Sequence, residues 1–445
     1  MKPHIQWISN TVMGAVLLWF IMGATQSWPT YVNGAEKKRA VESFRQAKSL
    51  PGSAIEHRVE FSPATHYRHI DGKDLSGPTK QMVQDLGFSL SVNLSLAAHE
   101  VSRFYREHRR LVPSDVMSFI LDSSGATYWG VQQTALVTTN TSAHAVEALI
   151  QDQITAENRG WDIGISDEID PENDGLRIII VLLAERTIDL QPIPRRLATQ
   201  RTYSVKGTLA PGYTDPHVLV MGPDGRIEER DVVQRGSDFQ TSVGGEAGTW
   251  VMEIMASGPT GPIPLTQMTL HVDGPIPRTV RSEWPKDEST VLDKEGYLLA
   301  LINRSRLQYG LKTLERVKAL DSVAIGHSRD MATHQFVGHV SPQTGTLTQR
   351  MDKVDHPRKV YGENVALNTT IFDAHLGLMR SLGHRRNLLS PRFTELGLGI
   401  VEGPSGWYVT EVFNYPGRTH STKMSKRPNS ADDRPYALRA IAARE

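Results

Sequence analysis

Apolar residues recur at intervals of three and four positions in several segments, which is the pattern of helices with one buried face. In the segment that begins at Lys294, for example, Leu298, Leu301 and Ile302 fall on one side, and Gly310 follows as a stop signal. The helices predicted in this way cover residues 94–108, 143–154, 294–308, 321–335 and 372–381.

Strands are predicted where apolar residues alternate with polar ones or form a short continuous run. The run at 176–183 is rich in Ile and Val and predicts a strand that is buried on both faces. Residues 201–272 contain only short alternating runs separated by turns, which predicts a small β-sandwich. Two further strands are expected at 396–401 and 407–413, on either side of a Gly-Pro-Ser-Gly turn.

Length and composition restrict the classes of protein that fit. The chain has 445 residues, enough for about three domains. It has 49 basic and 49 acidic residues, and this balance argues against a nucleic-acid partner, which would select a basic excess. The chain has no cysteine, so disulfides, thiolate metal sites and thiol nucleophiles are excluded.

The N-terminus has the features of an export signal. Lys2 and His4 precede an apolar run at 12–24, and small residues and a proline follow it. We therefore expect a signal peptide at 1–27 and a secreted or cell-envelope protein. The run is shorter than the roughly 20 residues of a spanning helix, so no stable membrane span is expected after cleavage. An uncleaved anchor is the alternative.

Four clusters of polar residues interrupt the regular pattern in the last third of the chain. They read Gly-His-Val-Ser-Pro at 338–342, Gly-Glu-Asn at 362–364, Gly-His-Arg-Arg-Asn-Leu at 383–388 and Tyr-Val-Thr-Glu-Val-Phe at 408–413. They place two histidines and two glutamates on expected loops and strand ends. Imidazole and carboxylate groups suit zinc, and without a metal they can act as a general acid–base pair. For each residue the alternative is a structural hydrogen bond.

The order of these motifs resembles the CAP superfamily (cysteine-rich secretory proteins, antigen 5 and pathogenesis-related 1 proteins), in its cysteine-free bacterial form. The resemblance also rests on His-Ser-x-x-Met at 327–331 and on the Gly-x-Gly strand at 397–399, and it covers about residues 290–416. It implies an α-β-α sandwich around an antiparallel sheet, with a surface cleft lined by His339, Glu363 and His384.

The resemblance further implies that His339 and His384 contact zinc or another divalent metal, with Glu363 beside them. Many animal and plant members carry a second cleft glutamate on the helix before the second histidine, whereas this chain has no carboxylate at 376–381. Glu411 is the candidate to replace that glutamate, although bacterial relatives often have Gln near this position.

Other polar residues of the clusters are expected to be structural. His327 lies on the inward face of its helix and is expected to be a core histidine. Arg385 and Asn387 are expected to hold their loop rather than to take part in chemistry.

The fold class expected is therefore multidomain, with an N-terminal α/β unit and a small β-sandwich before the C-terminal CAP-like sandwich. The Gly-Trp-Asp-Ile-Gly-Ile sequence at 160–165 echoes Leu-Gly-Leu-Gly-Ile at 396–400, so the α/β unit is either a degenerate CAP-like copy or an unrelated domain. The predicted segments are a signal peptide at 1–27, a polar arm at 28–88, the α/β domain at 89–195, the β-sandwich at 196–275, the CAP-like domain at 285–416 and a disordered tail at 417–445.

Three functions fit these features. The preferred one is a secreted module whose cleft binds a divalent metal and an extracellular lipid, glycan or peptide without turnover. The second is a zinc-dependent hydrolase or peptidase that uses Glu363 or a histidine as its base. The third is a non-catalytic adhesion or structural protein of the envelope. The sequence contains no serine-nucleophile motif, no His-Glu-x-x-His helix and no P-loop, and the resemblance implies no common reaction.

Overall fold

A computed structural model describes residues 30–31, 54–71, 87–138, 161–171, 176–283 and 293–417. The signal peptide expected at 1–27, the helix expected at 143–154 and the tail beyond residue 417 lie outside these described residues.

The described residues form helices and strands along three successive units. The helices are α1 (Val92–His108), α2 (Ser114–Ser124), α3 (Lys294–Gln308), α4 (Lys318–His334), α5 (Leu347–Met351), α6 (Ile371–Arg380) and α7 (Leu382–Leu388). The first strands are β1 (Thr30–Tyr31), β2 (Ala54–Arg58), β3 (His66–Tyr67), β4 (Ser89–Leu90), β5 (Gln132–Thr138), β6 (Asp162–Ile169), β7 (Arg177–Ala184), β8 (Ile188–Leu190), β9 (Ile193–Pro194), β10 (Arg196–Leu197) and β11 (Tyr203–Leu209). The others are β12 (Thr214–Met221), β13 (Ile227–Arg230), β14 (Val233–Arg235), β15 (Asp238–Val243), β16 (Gly248–Gly258), β17 (Gly261–Val272), β18 (Thr279–Glu283), β19 (Glu315–Arg316), β20 (Val360–Asn368), β21 (Glu395–Gly403) and β22 (Gly406–Tyr415). None of the helices in these ranges is both long and apolar enough to cross a membrane.

The N-terminal unit (residues 87–184, joined by strand β1) packs α1 and α2 on a sheet with the order β1-β5-β7-β6-β4. Strand β7 lies in its centre, and its residues Ile178 to Ala184 are all buried, which explains the continuous apolar run. Helix α1 begins after Ser91, whose hydroxyl accepts the N–H of Leu94. The helix lies so close to β6 that a Cβ on Gly164 would be 2.2 Å from a backbone atom of Leu94.

Part of the segment expected to be a polar arm is built into this fold. Strand β2 pairs antiparallel with β18, and Tyr67 of β3 is fully buried. The Tyr67 hydroxyl donates to Asp122 Oδ1 of α2 at 2.7 Å. The segment appears polar in sequence because inward residues alternate with exposed charged ones along β2 and the two residues after it. Its buried residues are Ile55, His57 and Val59, and its exposed ones are Glu56, Arg58 and Glu60.

The β-sandwich (residues 188–272) consists of two sheets, β10-β17-β16-β12-β13 and β14-β15-β11-β8. Alternating residues such as Val205, Phe239 and Ile254 form the core between them. Strand β8 belongs to the second sheet, so the sandwich begins upstream of the expected start at 196. Strands β16 and β17 form a long hairpin whose turn, at Thr260, contacts the C-terminal domain.

The C-terminal domain (residues 293–417) has helices on both faces of a sheet with the order β19-β21-β22-β20. Helices α4 and α5 cover one face, where Leu320 packs on Val412. Helices α3, α6 and α7 cover the other, where Leu378 packs on Leu398. Gly399 is required for the close approach of α4, because an added Cβ would lie 2.3 Å from the backbone of Ala324.

The sheets of the N-terminal unit and the C-terminal domain share strand order and direction. The order β4-β6-β7-β5 corresponds to β19-β21-β22-β20, and in each sheet the first pair is parallel and the others are antiparallel. Helix α1 follows β4 as α4 follows β19. Each helix passes over a glycine, Gly164 in one sheet and Gly397 in the other.

The β-sandwich packs on the C-terminal domain through an apolar contact and a buried carboxylate. Leu219 and Met255 of the sandwich contact Leu382 at the start of α7. Glu253, fully buried on β16, accepts the N–H groups of Leu382 and Gly383 at 2.9 and 3.0 Å. The N-terminus of α7 is therefore seated directly on the sandwich.

Candidate ligand-binding site

His339 lies in the loop after α4, and hydrogen bonds hold this loop on two sides. The Ser341 hydroxyl accepts two backbone N–H groups of the same loop, at 2.9 and 2.8 Å, and donates to Asp330. The carbonyl of Thr260, in the sandwich hairpin, accepts the N–H groups of His339 and Val340 at 3.0 and 3.1 Å. These bonds fix the backbone from which the His339 ring projects.

Glu363 lies on β20 and contacts the His339 ring. Its Oε1 is 3.1 Å from His339 Nδ1, and its Oε2 accepts from Arg350 Nη2 at 2.5 Å. Burial raises the pKa of Glu363, but the hydrogen bond from His339 and the electrostatic attraction of its neighbours, Arg350 among them, outweigh it and lower the pKa to about 2. An ionised carboxylate only accepts hydrogen bonds, so Nδ1 of His339 is the donor.

His384 lies on a helix rather than on the expected loop. Helix α7 follows α6 directly, with Ser381 as its N-cap, and this cap allows the Gly-His-Arg-Arg-Asn-Leu cluster to form a helix. The ring is almost fully buried, and its Nδ1 is 2.9 Å from Ser381 Oγ. Burial lowers the pKa of His384 to about 3, and the neighbouring His339 acts in the same direction, so the His384 ring is neutral at physiological pH.

The two imidazole rings stack beside the edge strand β20. Their centroids are 6.0 Å apart and their planes differ by 23°. Each ring uses Nδ1 for a bond to its neighbour, and within the described residues neither Nε2 has a hydrogen-bond partner. A neutral imidazole with a free Nε2 can bind a metal ion or accept a hydrogen bond. The pair His339 and His384 therefore offers two unused nitrogen atoms to a ligand.

Glu411 is placed apart from this pair. Asn364 is opposite Glu411 in the register and Glu363 is opposite Val412, so the two glutamates point to opposite faces of the sheet. Glu411 is fully buried, and its Oε2 accepts from Asn364 Nδ2 at 2.8 Å. Burial raises the pKa of Glu411 to about 8, although the Asn364 bond acts in the opposite direction. At neutral pH Glu411 is a protonated acid in the domain interior.

Side chains around the pair hold α7 against β20. Asn364 Nδ2 donates to the carbonyl of His384 at 3.2 Å, and Asn387 Nδ2 donates to Asn364 Oδ1 at 2.9 Å. Arg385 donates to the Tyr309 hydroxyl at 2.5 Å and lies over its ring. Asn387 and Arg385 thus make positioning contacts.

His327 connects α4 to the loop of His339. It is fully buried, and its Nε2–H donates to the carbonyl of Gly338 at 2.8 Å. Burial lowers the pKa of His327, and the nearby Glu363 only partly offsets this effect. His327 is therefore a neutral core histidine that fixes the residue next to His339.

Three further residues complete the arrangement and were not predicted from the sequence. Arg350 lies on α5, a short helix whose sequence signal is the capping box of Thr346 and Gln349. Ser381 could have been recognised as an N-cap only if α7 had been expected. Glu253 lies in another unit of the chain. It alternates with the core residues of β16, and this pattern predicts a side chain that faces solvent.

The corresponding positions in the N-terminal unit lack this chemistry. By strand register, Glu363 and Glu411 correspond to Gln133 and Val181. Gln133 is buried and donates to the carbonyl of Val112 at 2.9 Å. An amide and an apolar residue cannot supply the ionised and protonated carboxyl groups of the C-terminal domain.

Two cavities lie elsewhere in the described structure. One of about 650 Å³ lies on the sandwich beside Gly207 and Phe239, and one of about 410 Å³ lies between the three units beside Trp129 and Arg380. Neither is lined by the paired histidines. The candidate site is therefore assigned to the two histidines because their Nε2 atoms are free to bind a ligand, and not because of a large cavity.

The nitrogen and carboxylate groups around the two histidines decide whether a metal ion could bind here. Across the described ranges no three His, Cys, Asp or Glu side chains are grouped to hold a metal ion. The two Nε2 atoms are nevertheless suitable donors, because Nδ1 of His339 is held by a carboxylate, as is usual for metal-binding histidines. Imidazole nitrogen is a type of ligand that zinc takes in proteins.

Comparison with known proteins gives matches to the C-terminal part. The family model described as the cysteine-rich secretory protein family, CAP, matches residues 299–415. The uncharacterized membrane protein YlbC of Bacillus subtilis is 36% identical over 126 residues, which are 28% of this chain and 36% of that protein. The uncharacterized protein YkwD of the same organism is 35% identical over 120 residues, 27% of this chain and 47% of that protein. The chain thus spans about a third to a half of the length of these relatives.

Solved structures also match over part of the chain. An extracellular protein of Bacillus anthracis that contains an SCP domain is 24% identical, with 42% of this chain and 66% of that chain covered and a TM-score of 0.25. A cysteine-rich secretory protein of Staphylococcus aureus is 15% identical, with 52% and 82% covered and a TM-score of 0.23.

Proposed function

Residues 299–415 form a CAP domain of the cysteine-rich secretory protein family, and on this premise we propose that the protein is a secreted binding module. In this proposal His339 and His384 bind a divalent metal ion through Nε2 and present it to an extracellular ligand. The observation that carries the proposal is that both rings use Nδ1 internally and leave Nε2 free.

Zinc is the first metal to test, because neutral imidazole suits it and burial keeps the His384 ring neutral. A bound zinc ion would supply a Lewis-acid centre to which a ligand oxygen can bind. The surface beside it is partly apolar, since Val340, the residue after His339, is 39% exposed. A ligand that combines a polar group with an apolar part would match this surface.

Binding is a better interpretation than hydrolysis because Glu363 is poorly suited to act as a base. Both of its oxygens are occupied, one by His339 and one by Arg350, and its side chain is only 2% exposed. A general base works best when its pKa is near the operating pH, whereas that of Glu363 is about 2. We therefore assign Glu363 the role of orienting the His339 ring.

The N-terminal unit is proposed to be a second, degenerate copy of the CAP fold. The shared strand order, the shared strand directions and the matching glycines under α1 and α4 support this proposal. Gln133 and Val181 occupy the positions of Glu363 and Glu411, so the copy would act as a scaffold rather than as a second site.

Secretion is part of the same proposal and rests on the apolar segment at 12–24 and the residues around it. Fractionation of cells that express the full chain tests it directly. The chain should be found outside the cytoplasm and should lose its first residues, and a chain that stays inside with an intact N-terminus would contradict secretion.

Zinc titration of the full chain by calorimetry tests the metal site. We expect micromolar or tighter binding, about −8 kcal/mol, that is lost in His339→Ala and in His384→Ala. His217→Ala is the matched control, because His217 is a half-exposed histidine of the sandwich that pairs with Glu229. Absence of binding, or binding that survives both substitutions, would rule out the metal site.

Lipid, glycan and peptide libraries test the ligand with the zinc-loaded and the chelated protein. We expect zinc-dependent binding of one of these classes without release of products. Turnover that disappears on chelation would instead establish the zinc-dependent hydrolase.

A further inference from the structure

Glu253 of the β-sandwich reaches the candidate site through Ser381. The Ser381 hydroxyl donates to Glu253 Oε1 at 3.1 Å, and the same oxygen atom of Ser381 is 2.9 Å from Nδ1 of His384. Glu253 is fully buried although it belongs to a different unit from the histidines. A chain of two hydrogen bonds thus connects the sandwich with the His384 ring.

The direction of these bonds follows from the donors around Glu253. Its oxygens accept from the N–H groups of Leu382 and Gly383, from Gln267 Nε2 at 3.0 Å and from Ser381 Oγ. Burial raises the pKa of Glu253 to about 6 in spite of these bonds, so it is ionised at pH 7.5. A carboxylate that receives four donors has no proton to give, and Ser381 must donate to it.

A hydroxyl group has a single proton, so a serine that donates to Glu253 can only accept from His384. The ring proton of His384 therefore lies on Nδ1, and Nε2 carries the lone pair that a metal ion requires. We propose that Glu253 and Ser381 form a hydrogen-bond relay that fixes the tautomer of His384. The β-sandwich would then contribute a positioning residue, Glu253, to the site.

The same sandwich hairpin also positions the other histidine. The carbonyl of Thr260 accepts the N–H groups of His339 and Val340, and Thr260 Oγ1 donates to the carbonyl of Val337 at 3.2 Å. Gly338 permits this approach, because an added Cβ would lie 2.4 Å from the Thr260 side chain. One hairpin therefore fixes both the backbone of His339 and the tautomer of His384. The inference rests on the proposed function, because it concerns the two histidines that are proposed to bind the metal ion.

The test compares the full chain with Ser381→Ala and Glu253→Gln at pH 7.5. Long-range ¹H–¹⁵N spectra of the imidazole groups identify the protonated nitrogen of His384, which is assigned with His384→Ala. We expect Nδ1–H in the wild type and a shift toward Nε2–H in both variants. Zinc affinity should fall by roughly 10- to 100-fold, as is typical when a group that orients a metal-binding histidine is removed.

Glu229→Gln is the matched control, because Glu229 lies at the same interface, 4.0 Å from Arg386, and does not contact Ser381. It should leave the tautomer and the zinc affinity unchanged. If Glu253→Gln does not fold, the tautomer in Ser381→Ala is sufficient to test the relay. That substitution removes one hydroxyl group and keeps the hydrogen bonds from the N–H groups of Leu382 and Gly383 to Glu253.

The tautomer is read without metal, so the relay and the proposed function can fail separately. A wild-type chain with Nε2–H on His384, or folded variants that keep Nδ1–H, would overturn the relay. If the chain binds no zinc but the tautomer shifts as expected in Ser381→Ala, the relay stands and the metal-binding function falls.

Discussion

Arg350 and Glu363 form a buried ion pair directly under His339, with 2.5 Å between Arg350 Nη2 and Glu363 Oε2. Arg350 also donates to the carbonyl of His339 at 3.3 Å. The guanidinium group therefore fixes both the backbone of His339 and the carboxylate that orients its ring. Together with the hydrogen bond from His339, the charge of Arg350 keeps the pKa of Glu363 low although its side chain is only 2% exposed.

Removal of Arg350 should leave Glu363 as an uncompensated buried charge. We expect Arg350→Met to lower the free energy of unfolding by about 3–5 kcal/mol. Glu363→Gln in the same chain should recover part of this loss, because it removes the unpaired charge. Urea denaturation followed by circular dichroism measures both variants.

Arg358→Met is the control for Arg350, because Arg358 pairs with the exposed Asp352. A surface pair of this kind should change stability by less than about 1 kcal/mol. Equal effects of the two substitutions would show that the buried pair does not have the role assigned to it.

Because of Glu411, the free energy of unfolding of the C-terminal domain should fall as the pH rises toward the alkaline range. Burial raises its pKa from 4.5 to about 8 in the folded chain, so the folded state binds a proton that the unfolded state has released. The resulting stability is fully present below pH 4.5 and is lost as the pH rises through about 8. Relative to wild type, Glu411→Gln should gain stability as the pH rises from about 5 to about 8 and should gain little more above that, measured by urea denaturation at each pH. A constant difference across this range would show that Glu411 is ionised in the folded protein.

His375 should produce the opposite dependence at acidic pH. Its ring is buried beside Ser305, and burial, with the charge of Arg304, lowers its pKa to about 4. The unfolded chain binds the proton more readily, so the contribution of the neutral ring is present above pH 6.5 and is lost as the pH falls through about 4. A shift from 6.5 to about 4 corresponds to at most about 3 kcal/mol.

Thermal denaturation of wild type and His375→Gln between pH 4 and pH 7 measures this effect. The wild type should lose more stability on acidification than the variant does. His356→Gln serves as the control, because His356 is partly exposed and paired with Glu395. A variant with the same acid slope as wild type would exclude His375 as the source.

Two glycines of the C-terminal domain should respond to alanine in opposite ways. At Gly399 a Cβ would lie 2.3 Å from the backbone of α4, and backbone cannot move aside as a flexible side chain can. We expect Gly399→Ala to be strongly destabilising, by several kcal/mol. At Gly326, within α4 itself, a Cβ would meet nothing within 4 Å.

Gly326→Ala should therefore stabilise the protein by up to about 1 kcal/mol, because alanine has the better helix propensity. Hydrogen exchange of the β21 and β22 amides compares the two variants within one sheet. Similar protection in Gly399→Ala and wild type would mean that α4 and β21 are not packed as closely as the structure shows.

The sequence predicted elements where the local pattern was strong. The segment 294–308 coincides with α3, and the expected strands at 396–401 and 407–413 lie within β21 and β22. The motif order indicated the CAP domain, which the family match confirms for residues 299–415. The assignment of a ligand role to Glu411 could not be decided in the same way, because it depends on the register with Asn364.

The amino-acid sequence by itself determined which segments become helices and strands and which chemical groups are available, because spacing and residue type act locally. Only the tertiary structure decided how those groups work. His384 obtains its orientation from Ser381 and Glu253, and Glu253 is 131 positions away along the chain. Contacts of this kind form when units pack together, and the burial that shifts the pKa values of Glu411 and His375 arises at the same step.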